Sequence, residues 1–462
     1  MNSANIDNTV VRPKGLVKAK LSRDDIIMRG GMIVIALYLV ISLVFPLYSM
    51  FSKSFSTFQY DLSKFEVQVS DDAGQFSPKF TNLQNLNEGL KAILDEELST
   101  GSGGRLGVTI FFPDFSFRSP VMYRIRNVDG QGRFLVGSTL MTGTDWQELD
   151  SNTFRRVQLR PVKSTGLSNF INYFSTPALF KSIQNSIFIA IISTIITVIL
   201  AFWFAYALNR SCMRFKGFFR LIAMAPILVP SLLPGIALVY LFGAQGVIKG
   251  LLFGASIYGP IGIIIGSVFF TFPHAFLIIS TALAISDARL YEAAISLKAS
   301  PWKTFWTVTI PGARYGIISA AFVVFNLVIT DFGLPKVIGG QFNVLAVDIY
   351  KQVIGQQNFE MGAVVSVVLI IPAILAFAID RVVQSKQVAL LTARSVPFNP
   401  KPSSRADLIF TIYCGLVGLF IIGMLGICQF AALIKFWPYD LSLSLNNFQF
   451  DKMDGGGWGA YY

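Results

Sequence analysis

Residues 286–314 read SDARLYEAAISLKASPWKTFWTVTIPGAR. The run lies between two apolar stretches and is longer than the ~2–8 residues that usually join neighbouring helices of a bundle. Residues 291–299 are mostly good helix formers. Ser300 followed by Pro301 predicts a fresh helix start, with the hydroxyl as N-cap and the proline in the first turn, where its missing N–H is not needed. Pro311 and Gly312 are expected to close this second helix before the next apolar stretch. Leu290, Ala293, Ala294 and Leu297 are expected on one apolar face, with the two alanines small enough for another helix or a soluble protein to approach closely. The reading is a helix–turn–helix lying under a membrane and open to a soluble partner.

The surrounding chain supports a membrane setting. Of 462 residues, 53% are hydrophobic and 14% charged, with mean hydropathy +0.58; soluble domains carry about 25% charged residues. Disorder is excluded too, because disordered chains are poor in apolar residues. The fold class expected is an all-α polytopic membrane protein of about seven spans: 30–51, 183–208, 221–242, 259–285, 315–332, 361–379 and 408–434. The first is too long for a signal-peptide core, and no cleavage pattern follows it. The net charge of +12 does not point to nucleic acid. Segment 52–176 holds 13 Lys/Arg and 13 Asp/Glu, so the excess lies in the membrane-rich remainder. There it clusters at 12–29, 210–220, 289–314 and 381–405, alternate connections that the positive-inside rule places in the cytoplasm.

Segment 52–176 then faces outward. FEVQVS, RLGVTIFFP, VMYRIRNV, RFLVGSTL and TFRRVQLRPV are strand-like, and NLQNLNEGLKAILDEEL (82–98) has helical apolar spacing. A small α+β insert is expected, as a spacer or cap or as a docking surface. Three cysteines make no disulfide framework, and a single histidine excludes a His-rich metal site.

The 286–314 run resembles the EAA loop of type I ABC importer permeases, the inner-membrane components of binding-protein-dependent transport. The family pattern is Glu-Ala-Ala, Gly six residues after the Glu, then aliphatic-x-Leu-Pro. Here Glu292-Ala293-Ala294 is followed by Val308-Thr309-Ile310-Pro311, with Lys298 at the glycine position. Lysine cannot supply glycine's backbone freedom, so the turn is where a departure is expected. The resemblance is closest to double-length permeases, above all those for 2-aminoethylphosphonate, through FPHAFLIISTALAISDARLYEAA, FVVFNLVITDFGLPKVIGG and DIYKQVIGQQNFEMGAVV. Ferric-iron permeases are next.

The resemblance implies an organisation: a cytoplasmic segment 1–29, a first span 30–51, the insert 52–176, a permease core 177–380 with a coupling loop 288–312, a linker 381–406, and the opening of a second half at 407–462. It implies that Glu292, Ala293, Ala294, Lys298 and Pro311 couple the chain to an ATPase. It also implies ABC ATPase subunits, an extracytoplasmic solute-binding protein and membrane lipid as partners, in a bacterial inner membrane with the N-terminus cytoplasmic. No GxxxxGK[ST] occurs, so ATP and Mg belong to a separate subunit and no cofactor is expected in this chain. No catalytic residue is expected, and no metal site. A secondary transporter and a membrane sensor are the readings from other classes. The first usually needs ion-coupling charges in mid-membrane, and the second an inward output domain; both are scarce or missing here.

Leu167-Ser168-Asn169-Phe170 echoes Leu445-Asn446-Asn447-Phe448. Each follows an apolar span and an outward segment, which suggests that 407–462 opens a second copy of the first half. The expectation is a chain interrupted after Tyr462, against a natural seven-span subunit that pairs with another permease.

Polar residues at membrane depth are functional candidates. Asn326, Thr330 and Asp331 stand at the outer end of the fifth span, on the solute path or at the water interface. His274 stands in the fourth, on the path or in an interhelical hydrogen bond. Gln184 and Asn185 open the second, at a pore mouth. Pro226, Pro230 and Pro234, spaced four apart on one helix face, would kink the third span as a gate or simply pack. Asp380-Arg381 is expected to be an interfacial ion pair.

Overall fold

In the computed structural model the described residues are 23–59, 65–70, 75–80, 108–109, 122–127, 133–136, 139–141, 143–150, 158–160, 162–389, 398–400, 402–450 and 457–460. They divide into two compact units, Met1–Ser52 and Lys53–Tyr462. Among the described residues six helices are long and apolar enough to cross a membrane, or seven if one bent pair counts as a span. The protein is a helical, polytopic membrane protein with small sheets.

The first span, Ile27–Ser54, joins α1 (Arg23–Leu39) and α2 (Phe45–Ser54) through a wide π turn at Val40–Val44. Pro46 is the physical cause: its ring crowds the carbonyl four residues back, and a π turn makes room.

The second unit begins with strand β1 (Ser56–Gln59), antiparallel to β10 (Val162–Thr165). Between them lie two antiparallel four-stranded sheets. One has the order β3-β2-β5-β8 (Phe76–Phe80, Phe65–Ser70, Met122–Asn127, Gln147–Asp150). The other is β4-β9-β6-β7 (Val108–Thr109, Gln158–Arg160, Arg133–Val136, Thr139–Met141). Each strand-like run of the sequence contributes to these sheets; the helix expected at 82–98 lies outside the described residues. On one sheet face the Trp146 ring lies 4.6 Å from both the Arg124 and Arg126 guanidinium groups, and Arg126 pairs with Glu66 at 2.7 Å.

After α3 (Ser168–Ser175), α4 (Pro177–Arg210) is the longest helix. It packs against α7 (Pro260–Ile285) and α10 (Ile310–Ile329), and α10 packs against α13 (Phe359–Ala389). In lipid the drive for such packing is close fit rather than water exclusion. Gly316 shows it: a Cβ there would lie 2.3 Å from Ala282 Cβ, so only glycine lets α10 approach α7 this closely. Thr197 and Thr271 hydroxyls bond at 3.2 Å across α4 and α7. Phe204 stands edge-on to Phe272 and Phe276, each at 5.4 Å. The last span, α14 (Ser404–Ala432), is pinned to α4 by the Tyr413 hydroxyl, which donates to the Leu200 carbonyl at 2.8 Å.

Three expectations are corrected. The three prolines do not share one helix face in the third apolar stretch. That stretch is α5 (Lys216–Met224) with a 3-10 turn at Ala225–Leu228, then α6 (Leu232–Phe242), bent by 106°. Val229, ahead of Pro230, is extended (φ −115°, ψ 133°), because proline drives its predecessor out of the helical region. Pro226 therefore sits in the 3-10 turn, Pro230 in the break and Pro234 in the first turn of α6. Second, Pro311 and Gly312 do not end the helix that starts at Pro301. Helix α9 (Pro301–Thr304) runs through a π turn (Phe305–Thr309) into α10, giving a span of 29 residues, Pro301–Ile329. The π turn absorbs the donor missing at Pro311. Third, Asp380 is buried and does not pair with Arg381: it accepts from Ser319 Oγ at 2.5 Å and Gln384 Nε2 at 2.7 Å.

A helical loop clamped at one end of the bundle and a polar cleft at the other

Residues 286–300 form α8 (Ala288–Ser296) and a tight turn. Asp287 caps the helix by accepting from the Arg289 N–H at 3.1 Å. At the other end the Lys298 N–H reaches the Ile295 carbonyl at 2.9 Å and the Ala299 N–H reaches Ala294 at 3.0 Å. This is a Schellman closure, and Lys298 takes the left-handed conformation it requires, with φ 51°. The lysine therefore adopts the glycine-type turn instead of abolishing it, at a cost of about 1–2 kcal/mol. Ser300 Oγ then caps α9 by accepting from the Lys303 N–H at 3.3 Å.

The face differs from the one expected. Ala288, Tyr291 and Ala294 are buried, while Leu290, Glu292, Ala293 and Leu297 are exposed, Leu290 by 55% and Leu297 by 81%. Ala293 and Ala294 thus point apart: one holds α8 to the protein, and the other stays open beside Glu292.

Arg210, at the C-terminus of α4, clamps this loop. Its guanidinium donates to the Leu283 carbonyl at 2.8 Å and to Ser286 Oγ, and lies 4.9 Å from the Tyr291 ring and 4.5 Å from Phe398. Tyr291 packs on Phe398 at 4.6 Å and donates to Thr309 Oγ1 at 3.1 Å. The segment holding Phe398 is itself tied to the α4–α5 turn: the Cys212 thiol donates to the Pro400 carbonyl at 3.3 Å, and the Cys212 N–H reaches Asp407 Oδ1 of α14 at 2.8 Å. A basic residue at a helix C-terminus is a weak sequence signal. Nothing in spacing relates Arg210 to Phe398, so this clamp escapes a linear reading.

At about 1.5 Å per residue, α4 carries its N-terminus roughly 50 Å from Arg210. A cleft of about 610 Å³ opens there, lined by Lys181, Ser182, Asn185, Tyr258 and the stretch 339–343, among others. Asn185 Nδ2 donates to the Asn343 carbonyl at 2.9 Å, and Ser186 Oγ accepts from the Leu345 N–H at 2.8 Å. Lys351 Nζ bonds Asn343 Oδ1. Behind Ser182, in α12 (Leu345–Tyr350), Asp348 is 3% exposed and its Oδ2 has no hydrogen-bond partner. Burial pushes this carboxyl above the usual range; the Ser182 hydroxyl and Lys351 oppose the shift.

Of the other expected polar residues, Asn185 lines the cleft and Gln184, its neighbour, is exposed on another side of α4. Asp331 accepts from the Gly333 N–H at 3.2 Å at the start of α11 (Gly333–Ile338) and is met by Ser231 from the α5–α6 break. The structure thus brings Asp331 to the proline-rich bend. Burial raises its pKa, against those hydrogen bonds. The exposed Thr330 bonds back to the Asn326 carbonyl at 2.7 Å, and Asn326 Oδ1 is buried without a partner. His274 shows no interhelical hydrogen bond: Nδ1 is buried and unpartnered, and the ring lies 5.9 Å from Phe270, one turn back. Lysine, serine and amide groups in the cleft suit polar or charged ligands of modest size. Among the described residues no three His, Cys, Asp or Glu converge as a metal site.

A multi-span helical bundle with a clamped helical loop at one end and a polar cleft at the other is the architecture these residues define. Residues 211–388 match the family model described as binding-protein-dependent transport system inner membrane component. The ferric transport system permease protein FbpB of Actinobacillus pleuropneumoniae is 24% identical over 279 residues, covering 58% of this chain and 40% of the relative. The molybdenum transport system permease protein ModB of Azotobacter vinelandii is 29% identical over 180 residues, 37% of this chain and 80% of the relative. The chain spans less than half the length of the ferric relatives it matches. A solved bacterial alginate ABC transporter, in complex with a pentasaccharide-bound periplasmic protein, is similar at TM-score 0.40 and 15% identity, over 50% of this chain and 85% of that one.

Proposed function

We propose that this chain is a permease subunit of an ATP-binding-cassette importer, with α8 as the helix that an ATPase subunit engages. The observation that carries the reading is the geometry of 287–300. Both ends of α8 are capped, its inner face is fixed by Tyr291 and Ala294, and Glu292, Ala293, Leu290 and Leu297 are left open. A short helix fixed on one side and exposed on the other passes a push into α7 and α10, to which it is joined. The family match over 211–388 contains this loop and supports the reading.

In the mechanism, a binding protein delivers solute at the cleft end, and closure of the ATPases moves α8. The clamp at Arg210 carries that movement into α4, whose other end lines the cleft. Asp331, tied to the bend between α5 and α6, is placed to respond when the bundle changes sides. The N-terminus is cytoplasmic in this arrangement, and the loop end faces the cytoplasm. The solute is 2-aminoethylphosphonate, by the resemblance of 272–294, 322–340 and 348–365 to permeases for that compound. Ferric iron is the rival solute, because ferric permeases are among the relatives.

Glu292→Ala should reduce capture of the cognate ATPase by tenfold or more without affecting membrane insertion; undiminished capture would remove α8 from the coupling role. Uptake into vesicles carrying the assembled complex, measured for 2-aminoethylphosphonate and for ferric iron, separates the two solutes. Gradient-driven uptake without the ATPase would favour a secondary transporter instead.

A further inference from the structure

Two places on the second unit repeat one another atom for atom in their hydrogen bonding. At the first, α2 ends at Ser54 and β1 begins at Ser56; Asn169 Nδ2 donates to the Ser54 carbonyl at 3.3 Å and the Ser56 carbonyl at 2.7 Å. At the second, α14 ends at Ala432 and β11 (Ile434–Phe436) begins two residues later; Asn447 Nδ2 donates to the Ala432 carbonyl at 3.2 Å and the Ile434 carbonyl at 2.8 Å. The equivalence continues outward. Ser56 pairs with Thr165 as Ile434 pairs with Leu443, the last residue of β12 (Asp440–Leu443). The Gly166 N–H reaches the Phe55 carbonyl at 2.9 Å as the Ser444 N–H reaches Leu433 at 2.8 Å. Leu167 and Leu445 share a backbone conformation (φ −97°, ψ 4° and φ −99°, ψ 13°), and each precedes a helical turn.

The two places differ in what joins the strands. At the second, Trp437, Pro438 and Tyr439 connect β11 to β12. At the first, residues 60–161 intervene, with both four-stranded sheets among them. Among the described residues the principal packing partners of those sheets' strands are one another.

We propose that Asn169 and Asn447 are equivalent clasp residues, each fastening the end of an apolar helix to a two-stranded ribbon, and that residues 60–161 are a separable module spliced into the turn of the first ribbon. The chemistry is specific to the amide. One NH₂ group carries two protons and gives one to a carbonyl at the helix end and one to a carbonyl at the strand start. A carboxylate of the same shape has no proton to give and meets both carbonyls as a repelling charge.

The test uses the full chain in detergent, with a specific protease site inserted after Gln59 and another before Val162. After cleavage at both, the 60–161 fragment should elute apart from the rest on gel filtration, while 1–59 and 162–462 stay together as one particle. A fragment that remains bound to the bundle would overturn the module. Separation of 1–59 from 162–462 with Asn169 intact would overturn the clasp. Asn169→Asp in the cleaved chain should speed loss of 1–59 about tenfold, and Asn447→Asp should expose the 434–443 ribbon to protease. Unchanged behaviour in both variants would remove the amides from the role. None of these readouts depends on an ATPase or a solute, so they stand or fall apart from the importer reading.

Discussion

Lys298 holds a conformation that suits glycine, and the strain is local to one residue. Lys298→Gly should therefore raise the thermal unfolding midpoint, through a gain of about 1 kcal/mol; an unchanged or lowered midpoint would mean the lysine side chain makes a compensating contact. Asp331 presents a different single-residue conflict, a carboxyl whose pKa burial lifts above the ordinary 3.8. The folded state then favours the protonated form, so its contribution is fully present below pH 3.8 and declines as pH rises through the higher folded value. Asp331→Asn keeps an oxygen for the Gly333 N–H and removes the charge. It should flatten the loss of stability above pH 4 while impairing uptake and sparing ATPase capture; normal uptake would leave Asp331 as a helix cap alone.

The loop 287–300 behaves as an element because it is fastened at several points. Arg210 joins α4, α7, α8 and the segment around Phe398 through two hydrogen bonds and two ring contacts. Each cation–π contact is worth about 0.5–2 kcal/mol. Arg210→Ala should weaken ATPase capture roughly tenfold or more, and Arg210→Lys should restore little of it, because a compact ammonium cannot span two rings and two acceptors. Full rescue by lysine would reduce the clamp to a simple charge. The span that follows also depends on an element-scale feature: the π turn at Phe305–Thr309 lets a helix pass Pro311 instead of ending there.

At the scale of the bundle, α4, α7 and α10 meet through small residues and aromatic edges. Gly316→Leu should force α7 and α10 apart, with a cost of about 1–3 kcal/mol from overpacking. The expected readout is a lower unfolding temperature with ATPase capture and solute uptake lost together; a variant that still transports would show that α10 is free to shift. The amide of Asn447 belongs to this scale as well, since it bonds Ala432 and Ile434 as Asn169 bonds Ser54 and Ser56.

The apolar runs, the cap at Ser300 and the strand-like segments of the insert were legible in the sequence, because each depends on residues within a few positions of one another. The exposed surface of α8 was only half legible: composition marks Ala293 and Ala294 as small, but packing alone decides that one turns in and the other out. The shared face of Pro226, Pro230 and Pro234 and the passage through Pro311 were misjudged for a related reason. A proline states that a donor is missing, and the surrounding packing decides whether the chain breaks or takes a wider turn. Arg210 against Tyr291 and Phe398, Asn185 against Asn343, and the buried Asp380 with Ser319 join positions far apart in the chain. Local periodicity determined that this is a membrane helix bundle with one peculiar loop; three-dimensional packing decided what that loop is fastened to, because contact between distant residues depends on how helices pack and leaves no trace in spacing.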